Sequence, residues 1–162
     1  MFERGHYIIT GDVNSGKSTL LFKQFKDCTQ KGIQMAGWIS PPVLEEGVKC
    51  GHDIHIIKDS QIILKSTLTR NTHFHGSTKW RDYWFDFKIF DKIKKIDFGS
   101  PRIFLIDEAG PLELEEKKGF WPLLPNIYDH HPSTITAVRK NILTLFQNAF
   151  HHIHFNQIIR HP

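Results

Sequence analysis

Cysteine is scarce in this chain: Cys28 and Cys50 are the only two in 162 residues, so no disulfide framework organises the fold. Cys28 follows Leu21 and Phe25 on a helical stripe and reads as a buried thiol. Long hydrophobic runs are missing too. No apolar stretch approaches the roughly 18 residues of a membrane span, and the N-terminus lacks the apolar core of an export signal. The expectation is a soluble, cytoplasmic protein with no membrane partner. Neither sign of charge dominates. Lys and Arg number 21 against 17 Asp and Glu, a net charge of +4. That balance suits an anionic ligand and only weakly allows nucleic acid. The densest basic run, Lys92-Ile93-Lys94-Lys95, reads as a solvated helix face. Internal repeats and low-complexity segments are absent. A chain of this length reads as one domain over 1–162. It buries about 70% of its unfolded surface, enough for a core without staples.

What is present is concentrated first between residues 11 and 19. Gly11-Asp12-Val13-Asn14-Ser15-Gly16-Lys17-Ser18 fills the pattern G-x-x-x-x-G-K-[ST] without a mismatch, and Thr19 continues it. Tyr7-Ile8-Ile9 before it reads as a buried strand. Leu20, Leu21, Phe22 and Phe25 after it begin a helix that runs from about Lys17 to Lys31 and is stopped by Gly32. Strand, glycine-rich turn and helix form the context a phosphate cradle needs. Gly11 and Gly16 permit a tight turn and a close approach to phosphate, and Asn14 tolerates the left-handed backbone of an arching loop. The loop's N–H groups point inward at the positive end of the helix. Lys17 sets a positive charge on the β- and γ-phosphates, and the Ser18 hydroxyl is placed to ligate Mg²⁺.

The second concentration is Ile103-Phe104-Leu105-Ile106, an apolar strand ending in Asp107-Glu108. An acid at the carboxyl end of a central strand reaches Mg²⁺, directly or through water, and Glu108 is positioned to orient or deprotonate a water. Met35–Ile39 reads as another buried strand, ended by Pro41-Pro42, so the start of the chain is a βαβ unit with parallel strands. Residues 47–66 alternate as an antiparallel hairpin, read as an insertion packed on the main sheet. Residues 67–82 read as a mobile loop, and 82–96 as a helix carrying Phe85, Ile89, Ile93 and Ile96. Phe120–Leu124 belongs to a helix that Pro125 disturbs. Ser133–Val138 is a β-branched strand with Arg139 at its carboxyl end. Ile142, Leu145, Phe146 and Ala149 mark a last helix. Ile153 and Phe155 mark a short final strand before a polar tail, and residues 1–6 read as a polar lead-in to the first strand at 7–11. The fold expected is an α/β three-layer sandwich of the P-loop type, with a mostly parallel sheet of about five strands and an antiparallel hairpin insertion. Strand order stays open.

Further candidates have two readings each. Arg139 and Arg70 either stabilise charge on a transferring phosphate or make ion pairs within the fold. The aromatics Trp80, Tyr83, Trp84, Phe85, Phe87 and Phe90 either stack a base or pack the core. His73 with His75, His130 with His131, and His151, His152 and His154 lack carboxylate or cysteine partners at metal-ligand spacing, which favours surface histidine over zinc.

With both acidic and phosphate segments placed, the chain resembles the cancer-related nucleoside-triphosphatase family, thermostable P-loop NTPases. The likeness covers most of the chain. It is carried by the phosphate loop, Gly37-Trp38-Ile39-Ser40-Pro41, Glu45-Glu46-Gly47, Gly51-His52-Asp53-Ile54, Leu68-Thr69-Arg70, Asp107-Glu108-Ala109-Gly110-Pro111-Leu112-Glu113-Leu114 and Val138-Arg139. The resemblance implies slow, Mg²⁺-dependent hydrolysis of nucleoside triphosphates, ATP, GTP or others, to diphosphates with loose base preference. Residues 11–19 would bind nucleotide, Ser18 and Asp107 the metal, and Glu108, Lys17 and Arg139 would act in catalysis. The phosphate loop departs from the family at Val13-Asn14, as does His52 in its strand, and 71–81 matches poorly. Two other readings use the same site: a phosphotransferase acting on a nucleoside, nucleotide or RNA end, and a binding module gated by nucleotide. Oligomeric state is not legible in the sequence.

Overall fold

Alternation along short apolar strands decides where the helices lie. A computed structural model describes residues 3–160. Residues 1–2 of the expected lead-in and 161–162 of the expected tail lie outside them. The elements are β1 (Gly5–Gly11), α1 (Lys17–Gln30), β2 (Met35–Ile39), β3 (Pro42–Glu45), β4 (Val48–Lys58), β5 (Gln61–Arg70), β6 (Thr78–Trp80), β7 (Tyr83–Phe85), α2 (Lys88–Lys94), β8 (Ile103–Ala109), α3 (Pro111–Leu114), α4 (Leu124–His130), β9 (Ser133–Arg139), α5 (Leu143–Ala149) and β10 (Phe155–Arg160). On one face of the sheet, Ile8, Trp38, Phe104 and Ile106 pack against Phe90, Leu124, Ile127 and Phe146 of α2, α4 and α5. On the other, Tyr7, Ile9, Met35 and Leu105 pack against Leu21, Phe25 and Cys28 of α1. Neighbouring residues of one strand thus serve opposite layers, giving helix, sheet and helix. Cys28 and Cys50 are both buried and free. No helix among the described residues is long and apolar enough to cross a membrane.

The strands form one sheet in the order β10-β1-β9-β8-β2-β4-β5-β7-β6, with β3 paired to β4. The five from β10 to β2 are mutually parallel, as expected. The sheet is larger than expected, however, with ten strands and an antiparallel half. The expected antiparallel hairpin is present, and it sits at the edge of the sheet rather than on its face. It continues the sheet edge to edge, Gly37 facing Ile57 and Trp38 facing Ile56. The physical reason is that β2 ends the parallel set with an unpaired edge, and the next extended segment satisfies it. Gly37, at φ +123°, makes the opposite approach possible, because a Cβ there would strike the Leu105 carbonyl oxygen. Strand order, open in the sequence, has β9 between β1 and β8.

Three local expectations are corrected. Residues 67–70 and 78–80 are strand rather than loop, leaving only 71–77 as the connection. The helix expected from residue 82 begins at Lys88, because Tyr83-Trp84-Phe85 is a strand, Trp84 and Phe85 pairing with β5 and Tyr83 with β6, and Asp86 then turns the chain by accepting from the Lys88 N–H at 3.0 Å. Pro125 falls in the first turn of α4, where its missing N–H is not needed, so it starts that helix rather than disturbing it.

Candidate active site

The loop between β1 and α1 is built by two left-handed residues, Asn14 at φ 64° and Gly16 at φ 88°. Gly16 caps α1. Gly11 remains in its strand opposite Arg139, so its place in the motif is the strand's end rather than a special dihedral. The loop closes on itself through Ser15 N–H to the Asp12 carbonyl at 3.2 Å. Lys17 folds back over it, its Nζ donating to the carbonyls of Gly11 at 3.1 Å and Asp12 at 2.6 Å. Burial lowers the pKa of that ammonium, against the pull of Glu108.

Eighty-nine residues further on, Asp107 meets this loop. Its Oδ1 accepts from the Ser18 hydroxyl at 3.1 Å, and its Oδ2 from the Ser40 N–H at 2.8 Å. Asp107 is 1% exposed, and burial pushes its carboxyl up to about 7 despite those two donors. A hydroxyl and a carboxylate oxygen converging beside a phosphate loop are the hard-oxygen donors that a magnesium ion accepts, with phosphate and water completing its shell. Among the described residues no group of three or more His, Cys, Asp and Glu is arranged to hold a metal by itself.

Glu108 is the unusual residue. In a regular strand its side chain would face away from that of Asp107. Here the β8–β9 register shifts between Ile106 and Ala109, and Glu108 sits at φ 65°. This bulge turns both acids toward the same cavity. Glu108 Oε1 accepts from Arg139 Nε at 2.7 Å, and Arg139 Nη2 closes the ion pair. Burial alone would raise the Glu108 carboxyl. The Arg139 guanidinium, with the Lys49 ammonium, holds it below its ordinary range.

The cavity at the loop encloses about 340 Å³, and its lining includes Lys17, Ser18, Lys49, Asp107, Glu108 and Arg139. Val13, Pro42 and Leu44 give it an apolar side. The expected residues from Val13 to Thr19, with Asp107, Glu108 and Arg139, are thus brought together. Lys49 and His52 of β4 were not expected here. Lys49 Nζ donates to Asn14 Oδ1 at 2.9 Å, bridging hairpin and phosphate loop. Burial lowers the pKa of Lys49 and takes that of His52 down to about 4, leaving the imidazole neutral at neutral pH. No local signal marks Lys49, since it is one basic residue on a hairpin; only sheet pairing carries it here. Arg70 takes the other of its two readings. It pairs with Asp53 at 2.7 Å and with the His52 carbonyl, and it lies outside the cavity lining.

The family described as NTPase matches residues 6–158. The nucleoside-triphosphatase THEP1 of Sulfurisphaera tokodaii is 26% identical over 136 residues, 83% of this chain and 77% of that protein. The solution structure of a human cancer-related nucleoside triphosphatase superposes with a TM-score of 0.67 at 18% identity, covering 96% of this chain and 88% of that one. The crystal structure of THEP1 from the hyperthermophile Aquifex aeolicus gives 0.66 at 18% identity, covering 96% and 89%. These two likenesses speak for the fold alone, whereas the family match runs through nearly every element from β1 to β10. The chain belongs to the NTPase family, as a nucleoside-triphosphate phosphohydrolase.

Proposed function

We propose that the protein hydrolyses Mg²⁺-bound nucleoside triphosphates to diphosphates, as one P-loop domain, with residues 11–19 as the phosphate cradle. The observation that carries this reading is the closure of the Asp107–Glu108 bulge onto the loop, with Ser18 and Asp107 3.1 Å apart. Ser18 and Asp107 would hold the metal, which when bound neutralises phosphate charge. The N–H groups of the loop bind the β- and γ-phosphates. Lys17 leaves its carbonyl partners for the phosphate oxygens, a better acceptor for an ammonium. Glu108, kept ionised by Arg139, orients the attacking water and takes its proton.

Two finer features follow from the walls of the cavity. Val13 of the cradle, with Pro42 and Leu44, gives the cavity an apolar side, whose side chains offer a base contact area but no hydrogen-bonding group. Base preference is therefore loose. Arg139 is engaged by Glu108, so the guanidinium that accelerates other P-loop enzymes is not free. Turnover without an activator then stays in the range of about 10⁻⁴ to 10⁻² per second. Lys49, which also lines the cavity, is a further cation for the developing charge. We place the protein in the cytoplasm, where triphosphate and magnesium are both supplied.

The test is phosphate release from ATP and GTP with magnesium, with EDTA, and by Lys17→Ala. Both triphosphates should be cleaved at similar rates. EDTA should stop cleavage, and Lys17→Ala should lower it at least 100-fold. Undiminished release by Lys17→Ala in EDTA would remove the cradle from the reaction.

A further inference from the structure

The amino ends of the parallel strands hold a separate cleft of about 430 Å³. Arg4 before β1, Pro132 before β9, Arg102 before β8 and Gln34 before β2 line it, with His130 and His131 at the end of α4. It shares no residue with the cavity at the phosphate loop. β1 runs from Arg4 at this end to Gly11 at the other, so about 20 Å of strand separates cleft and cradle. Its charge is one-sided, for no Asp or Glu lines it. Arg70, Arg81 and Arg139 are each paired with a carboxylate. Among the described residues Arg4 and Arg102 form no ion pair, and these two share the cleft. Their backbones are held in place. The N–H groups of Arg102 and Ile103 both donate to the Gln34 carbonyl, at 3.0 and 3.2 Å, and the Arg4 carbonyl accepts from Asn156 Nδ2 at 3.0 Å. The carboxyl end of α4 also brings carbonyls to this corner. That of Asn126 already accepts from His130 Nδ1 at 2.9 Å, and that of Ile127 from the His131 N–H at 3.0 Å.

Spacing decides what two unneutralised guanidinium groups can hold. β1 and β8 are second neighbours in the sheet, with β9 between them, so the two arginine backbones stand about 10 Å apart. Two long side chains reaching in from either side close on one group between them. A planar carboxylate is filled by a single guanidinium fork. A phosphate monoester presents three acceptor oxygens in a tetrahedron and takes two forks from two directions. The volume suits a small molecule. A nucleic-acid strand fits less well, because no Trp, Tyr or Phe lines the cleft for a base to stack on. We infer that this cleft binds a small phosphorylated compound through a doubly charged phosphate, gripped by Arg4 and Arg102, with Gln34 adding an amide donor. The site stands apart from the hydrolase reading and does not depend on it.

The experiment titrates pyrophosphate into the whole chain labelled with nitrogen-15, at constant ionic strength and with EDTA present. Pyrophosphate also reaches the cradle, so the amide signals of Ser15 to Thr19 report that site, and those of Arg4, Gln34, Arg102 and His131 report the cleft. The cleft amides should shift along a saturating curve of their own. Arg4→Gln and Arg102→Gln should each weaken binding at the cleft at least about tenfold, while the cradle shifts and the rate of phosphate release from ATP stay within about twofold. Both arginines are exposed, and circular dichroism checks that the variants fold. Cleft amides that stay still, that drift without saturating, or that shift equally in both variants overturn the inference. Citrate binding as tightly as pyrophosphate overturns the phosphate class. A short oligouridylate that saturates the cleft where pyrophosphate does not overturns the small ligand and gives this face to nucleic acid. Each of these outcomes leaves the hydrolase reading standing, since phosphate release tests that separately.

Discussion

Glu108→Gln separates chemistry from binding at this site. Gln keeps a carbonyl oxygen for Arg139 and keeps the bulge's backbone demand unchanged, but it cannot take a proton. Loss of a positioned general base removes about 10²–10⁴ in rate, or about 3–5 kcal/mol of transition-state stabilisation at 1.36 kcal/mol per tenfold. The structural cost is much smaller. The side chains of Glu108 and Arg139 are 30% and 31% exposed, so water screens much of their attraction, and one hydrogen bond to Arg139 survives. A stability loss of about 1 kcal/mol is expected, which lowers Tm by about 2–4 °C in a chain of this size. Nucleotide affinity should hold or improve, because a negative charge beside a polyanion has been removed. The assay is single-turnover phosphate release alongside calorimetric titration with a magnesium-bound triphosphate. Release at the wild-type rate would show that Glu108 is no base. Affinity falling in parallel with rate would show that it only shapes the cavity.

Gly37→Ala should destabilise by about 3 kcal/mol, from a strained positive φ and a Cβ forced onto the Leu105 carbonyl; urea unfolding reads this, and an unchanged midpoint would refute the close approach. Glu113 is 4% exposed and accepts from the N–H groups of Gly110 at 3.0 Å and Phe120 at 3.2 Å, while burial pushes its carboxyl up to about 8. Because that value lies above the unfolded one of about 4.3, the native state holds the extra proton between them, and stability falls as pH rises from about 4 to 8. Glu113→Gln turns an amide donor toward one of those two donors and loses about 1 kcal/mol at pH 5. Its deficit should shrink or reverse by pH 8.5, and urea midpoints that stay parallel across that range would rule out Glu113 as the titrating group.

Much of the scaffold was legible locally. Gly11–Ser18 needs only its own residues to declare a cradle, and Tyr7-Ile8-Ile9, Met35–Ile39 and Ile103–Ile106 are apolar enough to be strands wherever they pair. Asp107 could be placed against Ser18 because motif and strand end together restrict its position. The aromatic run at 83–85 was not legible in the same way. Tyr83-Trp84-Phe85 joins a helical spacing at Ile89 and Ile93, and only the free edge of β5 makes it a strand.

What the sequence determined by itself was the phosphate loop, the parallel core and the kind of chemistry, since glycine dihedrals, apolar runs and charged termini act within a few residues. Tertiary structure decided the rest. Register across β8 and β9 produced the bulge that turns Glu108 beside Asp107. Pairing of β4 on β2 carried Lys49 and His52 to the phosphate site. Pairing of β1 and β8 on either side of β9 set Arg4 and Arg102 across one cleft. Each depends on which strand edges find each other over long separations, and an unpaired edge accepts any extended segment whose side chains suit its two faces.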